Sequence, residues 1–386
     1  MPIFDLTEFL KLSSVLNYNL SAASLNRYNM LLYILGGKRL DADERVELEK
    51  KSLMMEALSY LFSAYSHKRR RLGPMAVLHP LRAAALMTRA REVASLDGLL
   101  AALFHDILED VQSVDFEVQE WRDMERRLFE MLEHLPAEEE SRLIQRLKCL
   151  TRTKSESYYR YIGRMLECSA AFPDVVEVKL ADRLDNTLDM RIELEDPLAG
   201  IDSFQSIFQL LFVSNYPGYV PQTEHQPATA MNGARRLQQL YKNAVLLSLI
   251  RQLSLTAETS SRRTLFEAVA EASLKEAQRT LMHVLGYHFK DHRGQRHLLL
   301  DAMDYCFSGR SDLVTKPDDQ RMLDGLFATY FAPTDGKVLR QQLDGLYQNK
   351  PLMIQASIAF IVIFLSFLND PRYFVRGISI EGIEAA

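Results

Sequence analysis

His79 in VLHPLRAA, the adjacent pair His105 and Asp106 in AALFHDILED, and Asp182 in VKLADRLDN bring two imidazoles and two carboxylates into one ordered set. Nitrogen and oxygen ligands of this borderline-to-hard character suit Mn²⁺, Fe²⁺ or Zn²⁺ better than a thiolate-loving metal. The chemistry such a set supports is hydrolytic. A metal so held can keep a position open for water, lower that water's pKa and polarise a phosphoryl oxygen. A lone His or Asp on a helix is more often a core or solvated group, so the reading rests on the four residues in order.

The surrounding residues place all four ligands on helices. Pro80 directly after His79 fits the first helical turn, so LRAAALMTRARE follows as a helix with His79 at its mouth. Leu99, Leu100, Leu103, Phe104, Ile107 and Leu108 recur at helical spacing, which gathers His105, Asp106, Glu109 and Asp110 on the complementary strip. Glu109, one turn beyond His105, is placed as a general base beside the water. Further on, Val175, Val176, Val178, Leu180, Ala181 and Leu184 make an apolar stripe, while Asp182, Asn186 and Asp189 share the polar edge.

HPLRAA, LFHDILED, LTRTKSESYYRYIGRML and VKLADRLDN together resemble the HD-domain phosphohydrolases of the RelA/SpoT type, over roughly residues 50 to 195. The similarity is greatest to the short, hydrolase-only members, in which Asp185-Asn186 follows the last ligand. The resemblance implies removal of the 3′-pyrophosphate of guanosine tetra- or pentaphosphate. It implies Mn²⁺, or another divalent metal, on His79, His105, Asp106 and Asp182, with Glu109 and Asp110 orienting or deprotonating the attacking water. Asn186 would then contact the ribose or phosphate of the substrate.

Two further regions are candidates for holding that substrate. The run His67-Lys68-Arg69-Arg70-Arg71 is a local positive patch in a chain of formal net charge −5, and suits a polyphosphate. Arg70 and Arg71 are the nearest matches to the basic segment that frames the nucleotide in the family. The tyrosine usual shortly before the His-Pro pair is Ala76 here, which keeps another nucleotide, an adenosine alarmone or a cyclic dinucleotide, as an alternative substrate. The second region is Thr151 to Met165, where Tyr158 and Arg164 match a segment lining the site in the short members.

With 386 residues, 47% hydrophobic and 25% charged, the chain is long enough for two domains. Nearly every long segment has helical period, so the expected fold is all-α. It divides into an N-terminal helical extension (1–48), an HD domain (49–213), a linker or long loop (214–234) and a C-terminal helical domain of unassigned role (235–386). Asp41 to Glu44 resembles a capping box opening a long helix. Gly294 is expected to break the helix among His283, His288, His292 and His297, which lack the carboxylate or cysteine framework of a second metal site. LMIQASIAFIVIFLSFL, residues 352–368, is read as a buried or dimer-interface helix rather than a membrane span.

Cys149, Cys168 and Cys306 are an odd count without paired spacing, which predicts free thiols in a reducing cytoplasm. The N-terminus has no signal-peptide pattern. The expected partner is a small nucleotide, not nucleic acid, with a homo-oligomer through the C-terminal helices as a further expectation. A reading from another class is a non-catalytic alarmone sensor signalling through those helices.

Overall fold

The computed structural model describes residues 6–20, 25–66, 68, 75–153, 155–190, 209–213, 232–253, 259–308, 313–314 and 321–383. Arg70 and Arg71, with His67 and Arg69, lie outside them, as does most of the expected linker. The chain is all-α. Among the described residues the strands are β1 (Ile378–Ser379) and β2 (Gly382–Ile383), antiparallel with Ile378 opposite Ile383.

Two compact units divide the chain. The first holds residues 1–188 and 257–266, and the second holds residues 189–256 and 267–386. The segment set apart in the sequence as an N-terminal extension thus belongs to the first unit.

That unit is built around α4 (Leu78–Ala90) and α5 (Leu96–Phe104), which pack on each other. Every residue of α5 except Asp97 is buried, as is every residue of α4 from Leu78 to Thr88. A helix apolar all round must be enclosed on all sides. Helices α1 (Leu6–Leu20), α2 (Leu25–Leu35) and α3 (Glu44–Ala64) pack against this pair, as does α8 (Ala137–Leu150) against α5. Helix α7 (Val118–Glu133) shows the opposite pattern, with only Met124, Met131 and Leu132 buried, and lies on α3 and α8 as an outer layer. Helices α9 (Tyr158–Cys168) and α10 (Asp174–Asp189) complete the site-bearing set.

The start of α3 differs from the expected capping box. Asp43, not Asp41, is the N-cap, its Oδ1 accepting the N–H of Arg45 and Val46. Asp41 instead pairs with Lys50 at 2.8 Å, and Glu47 reaches back to the N–H groups of Leu40 and Asp41. The first-turn amides are satisfied either way, and the nearer acceptor takes them.

The cysteine expectation is also corrected. Cys149, near the end of α8, and Cys168, at the end of α9, form a disulfide, leaving Cys306 as the free thiol. Their 19-residue separation carries no motif; the packing of α8 on α9 sets the pair.

In the second unit, α11 (Gly233–Gln252), α14 (Gly336–Gln348) and α15 (Lys350–Asn369) pack together, with α13 (His292–Phe307) lying on α15. Helix α12 (Ser260–His283) begins in residues of the first unit and continues from Glu267 in the second. The span 352–368 lies in α15, the one helix among the described residues long and apolar enough to cross a membrane, and it is mostly buried within the protein. Gly294 does not break a helix: it sits in the first turn of α13, where any Cβ would come within 2.6 Å of the Asp291 carboxylate that caps it. The interruption falls earlier, at a π-helical turn, Val284–His288, and the extended Phe289.

Candidate metal centre

His79 enters from the first turn of α4, as its Pro80 requires, and is 6% exposed. His105 and Asp106 do not share a continuous helix with Glu109, as the apolar spacing had predicted. Helix α5 ends at Phe104 with His105 as its cap, Asp106 sits at φ −102°, ψ 0°, and a separate turn, α6 (Ile107–Asp110), follows. His105 Nδ1 donates to the Ala102 carbonyl at 2.7 Å, which fixes the ring at the point where the helix stops. Asp182 comes from the middle of α10 and is 3% exposed.

These elements bring four donor atoms together. His79 Nε2 is 3.1 Å from His105 Nε2, 3.2 Å from Asp106 Oδ2 and 3.2 Å from Asp182 Oδ1. His105 Nε2 is 3.2 Å from Asp106 Oδ2 and 3.8 Å from Asp182 Oδ1. A cation about 2.1 Å from each ligand would hold neighbouring ligands roughly 3.0 to 3.4 Å apart. The group can therefore hold a metal ion.

The tautomers strengthen this. His79 Nδ1 donates to Asp185 Oδ2 at 2.6 Å, and His105 Nδ1 donates to a carbonyl, so each neutral ring presents its Nε2 lone pair to the other. Two facing lone pairs beside two carboxylates repel unless a cation lies among them. Without a metal, a proton takes that place. Burial alone would lower the His105 pKa, but the charge and hydrogen bond of Asp106, with Asp182, hold it at about 9. Against burial, His105 and His79 keep Asp106 ionised, and Lys179 followed by the two histidines keeps Asp182 ionised.

The sign of this linkage gives a test. The folded pKa of about 9 lies above the ordinary histidine value of about 6.5. His105 thus contributes stability fully below pH of about 6.5 and loses it as pH rises to about 9. Chelator-treated protein should show a melting temperature that falls across that window, and saturating Mn²⁺ should remove the fall. A flat profile in the chelated protein would contradict the assignment.

Three residues not singled out in the sequence complete the surroundings. Asp185, 0% exposed, takes the His79 Nδ1 proton on Oδ2 and accepts Arg82 Nε on Oδ1 at 2.6 Å, while Arg82 Nη2 bonds Oδ2 at 3.1 Å. Arg82 in turn reaches Ser13 Oγ at 3.5 Å, and its guanidinium lies 4.9 Å from the Phe9 ring centre. Lys179 Nζ bonds Asp182 Oδ2 at 2.7 Å, leaving Oδ1 toward the histidines, and lies over the Tyr161 ring. Helical spacing held the signal: Arg82 follows His79 by three, and Lys179 and Asp185 flank Asp182 by three.

Replacing Asp185 with Ala should release His79 and remove both hydrogen bonds from Asp185 to the buried Arg82 guanidinium. Expected are a drop in metal affinity of about 10- to 100-fold and a stability loss of about 3–5 kcal/mol. Metal titration and thermal melts read the two separately.

The candidate base and substrate residues fall around this core. Glu109 Oε1 accepts the N–H of Arg152 at 2.6 Å, and its Oε2 has no protein partner among the described residues. Desolvation raises the Glu109 pKa, the Arg152 N–H opposes it, and Asp106 adds to the rise. Asp110 is raised by desolvation and by Asp106, and accepts the Tyr65 hydroxyl at 3.3 Å. Asn186 donates to Asp182 Oδ1 at 2.5 Å, so it steadies a ligand. Arg164 binds Glu156 through Nε and Nη2 and the carbonyls of Lys148, Cys149 and Thr151, which ties it to the α8–α9 loop. The Tyr158 ring is 6.2 Å from that of Tyr161, with the charges of Arg183 and Lys179 acting on its hydroxyl.

Compared with known proteins, the chain matches no family model and no curated protein.

Proposed function

We propose that the first unit is an HD-type phosphohydrolase that cleaves a nucleotide 3′-pyrophosphate, with guanosine tetra- or pentaphosphate as substrate and Mn²⁺ as the metal. The observation that carries this reading is the convergence of the two Nε2 lone pairs and two carboxylates, with a Glu109 oxygen on the adjoining turn that has no partner among the described residues. A divalent cation held there supplies Lewis acidity and a water of lowered pKa.

The protein's own groups do the rest. Asp185 fixes His79 in the tautomer that binds metal, and Ala102 does the same for His105. Lys179 and Asn186 keep Asp182 ionised and oriented. Glu109 takes the proton of the attacking water on Oε2 while the Arg152 N–H holds Oε1, and its raised pKa makes it a stronger base than an ordinary glutamate. Asp110 adds negative charge beside that proton. Tyr158, near the cations Lys179 and Arg183, would meet the nucleotide, and Arg164 acts by holding the loop that carries Arg152.

The test is ion-exchange analysis of products after incubation with Mn²⁺ and guanosine tetraphosphate, beside the adenosine counterpart and a chelator control. Release of GDP and pyrophosphate that the chelator abolishes is the expected result. Preference for the adenosine compound would move the substrate as Ala76 allows. Tight binding without turnover in Mn²⁺ would overturn the enzyme reading in favour of a sensor.

A further inference from the structure

The second unit contains a cavity of about 500 Å³ that no part of the hydrolytic chemistry uses. Its size falls within the roughly 300–1,000 Å³ of small-molecule sites. Its apolar lining is Ala359, Val362 and Ile363 of α15, with Leu313 and Val314. Its other wall is the segment after α15, from Asp370 to Arg376. That segment is pinned from α11, because Ser248 Oγ accepts the Val375 N–H at 3.1 Å and Arg251 donates to the carbonyls of Pro371 and Phe367. The cavity is a built feature rather than a gap beside a loose tail.

Polar side chains share the lining: Tyr305, Cys306, Ser366, Asp370, Arg372, Tyr373 and Arg376. Arg372 and Arg376 are exposed, and neither guanidinium has an ion pair among the described residues. The lining's single carboxylate, Asp370, accepts the Arg372 backbone N–H at 2.8 Å. The Tyr373 hydroxyl has no hydrogen-bond partner among the described residues, and the Cys306 thiol acts on it electrostatically. An apolar lining beside two guanidiniums with no ion pair among the described residues suits an apolar tail that ends in an anion.

We propose that this cavity binds a fatty-acid-like monocarboxylate, its chain against Val362, Ile363 and Leu313 and its carboxylate between Arg372 and Arg376. Cys306 in the lining, the one free thiol, serves as an internal reporter.

The experiment uses the full chain. Decanoate and decan-1-ol are titrated by calorimetry, and the rate of Cys306 alkylation is followed with each. Decanoate should bind about tenfold or more tighter than the alcohol and slow alkylation in proportion to occupancy. Arg372→Ala with Arg376→Ala, on exposed side chains that leave the fold in place, should erase the difference between acid and alcohol. Val362→Trp should abolish binding of both. Equal binding of acid and alcohol, insensitivity to the arginine pair, or absence of decanoate binding and of protection in the unaltered protein would each overturn the proposal.

Discussion

Asp106→Ala should lose both bound metal and turnover. Its Oδ2 is 3.2 Å from each histidine Nε2, so removing it takes away one of four donors and one of the two negative charges that would balance a divalent ion. The loss of Mn²⁺ affinity should exceed the roughly 100-fold that a supporting group costs. A second readout follows from the proton chemistry. Asp106 is the main influence raising the His105 pKa against burial, so the chelated variant should also lose the alkaline fall in stability. Full metal content in the dialysed variant, measured by plasma emission, would remove Asp106 from the ligand set.

Glu109→Gln separates chemistry from binding. A glutamine keeps an oxygen for the Arg152 N–H, so the loop between α8 and α9 holds its place, but the amide cannot accept the water's proton. Metal affinity and KM should stay near the original values while kcat falls by about 10²- to 10⁴-fold. A kcat within about threefold of the parent would take Glu109 out of the reaction and shift attention to Asp110.

The ligand set was legible because it depends on residue type and order, and the helices positioning His79 and Asp182 followed from Pro80 and from the apolar stripe of α10. The break between α5 and α6 was not legible. The leucines on either side of His105 keep helical spacing through it, and only the Ala102 carbonyl taken by the His105 ring marks the stop. Arg164 and Asn186 read as substrate contacts because sequence order alone does not say which side chains meet. Glu156, eight residues before Arg164, accepts from two of its guanidinium nitrogens, and Asp182, four before Asn186, accepts from the Asn186 amide. Cys149 and Cys168 were opaque for the same reason, since pairing is decided by which helix ends meet.

Arg82 gives the site a longer reach than its motifs. Its guanidinium is 1% exposed, grips Asp185 with two nitrogens and leans on Phe9 and Ser13 of α1. The first helix, which carries no ligand and no recognisable signature, is the outer wall of a three-residue buttress ending at a metal ligand. Trimming the chain to its motifs would cut through that buttress. Drift at Phe9 or Ser13 is, in effect, drift in the candidate metal centre.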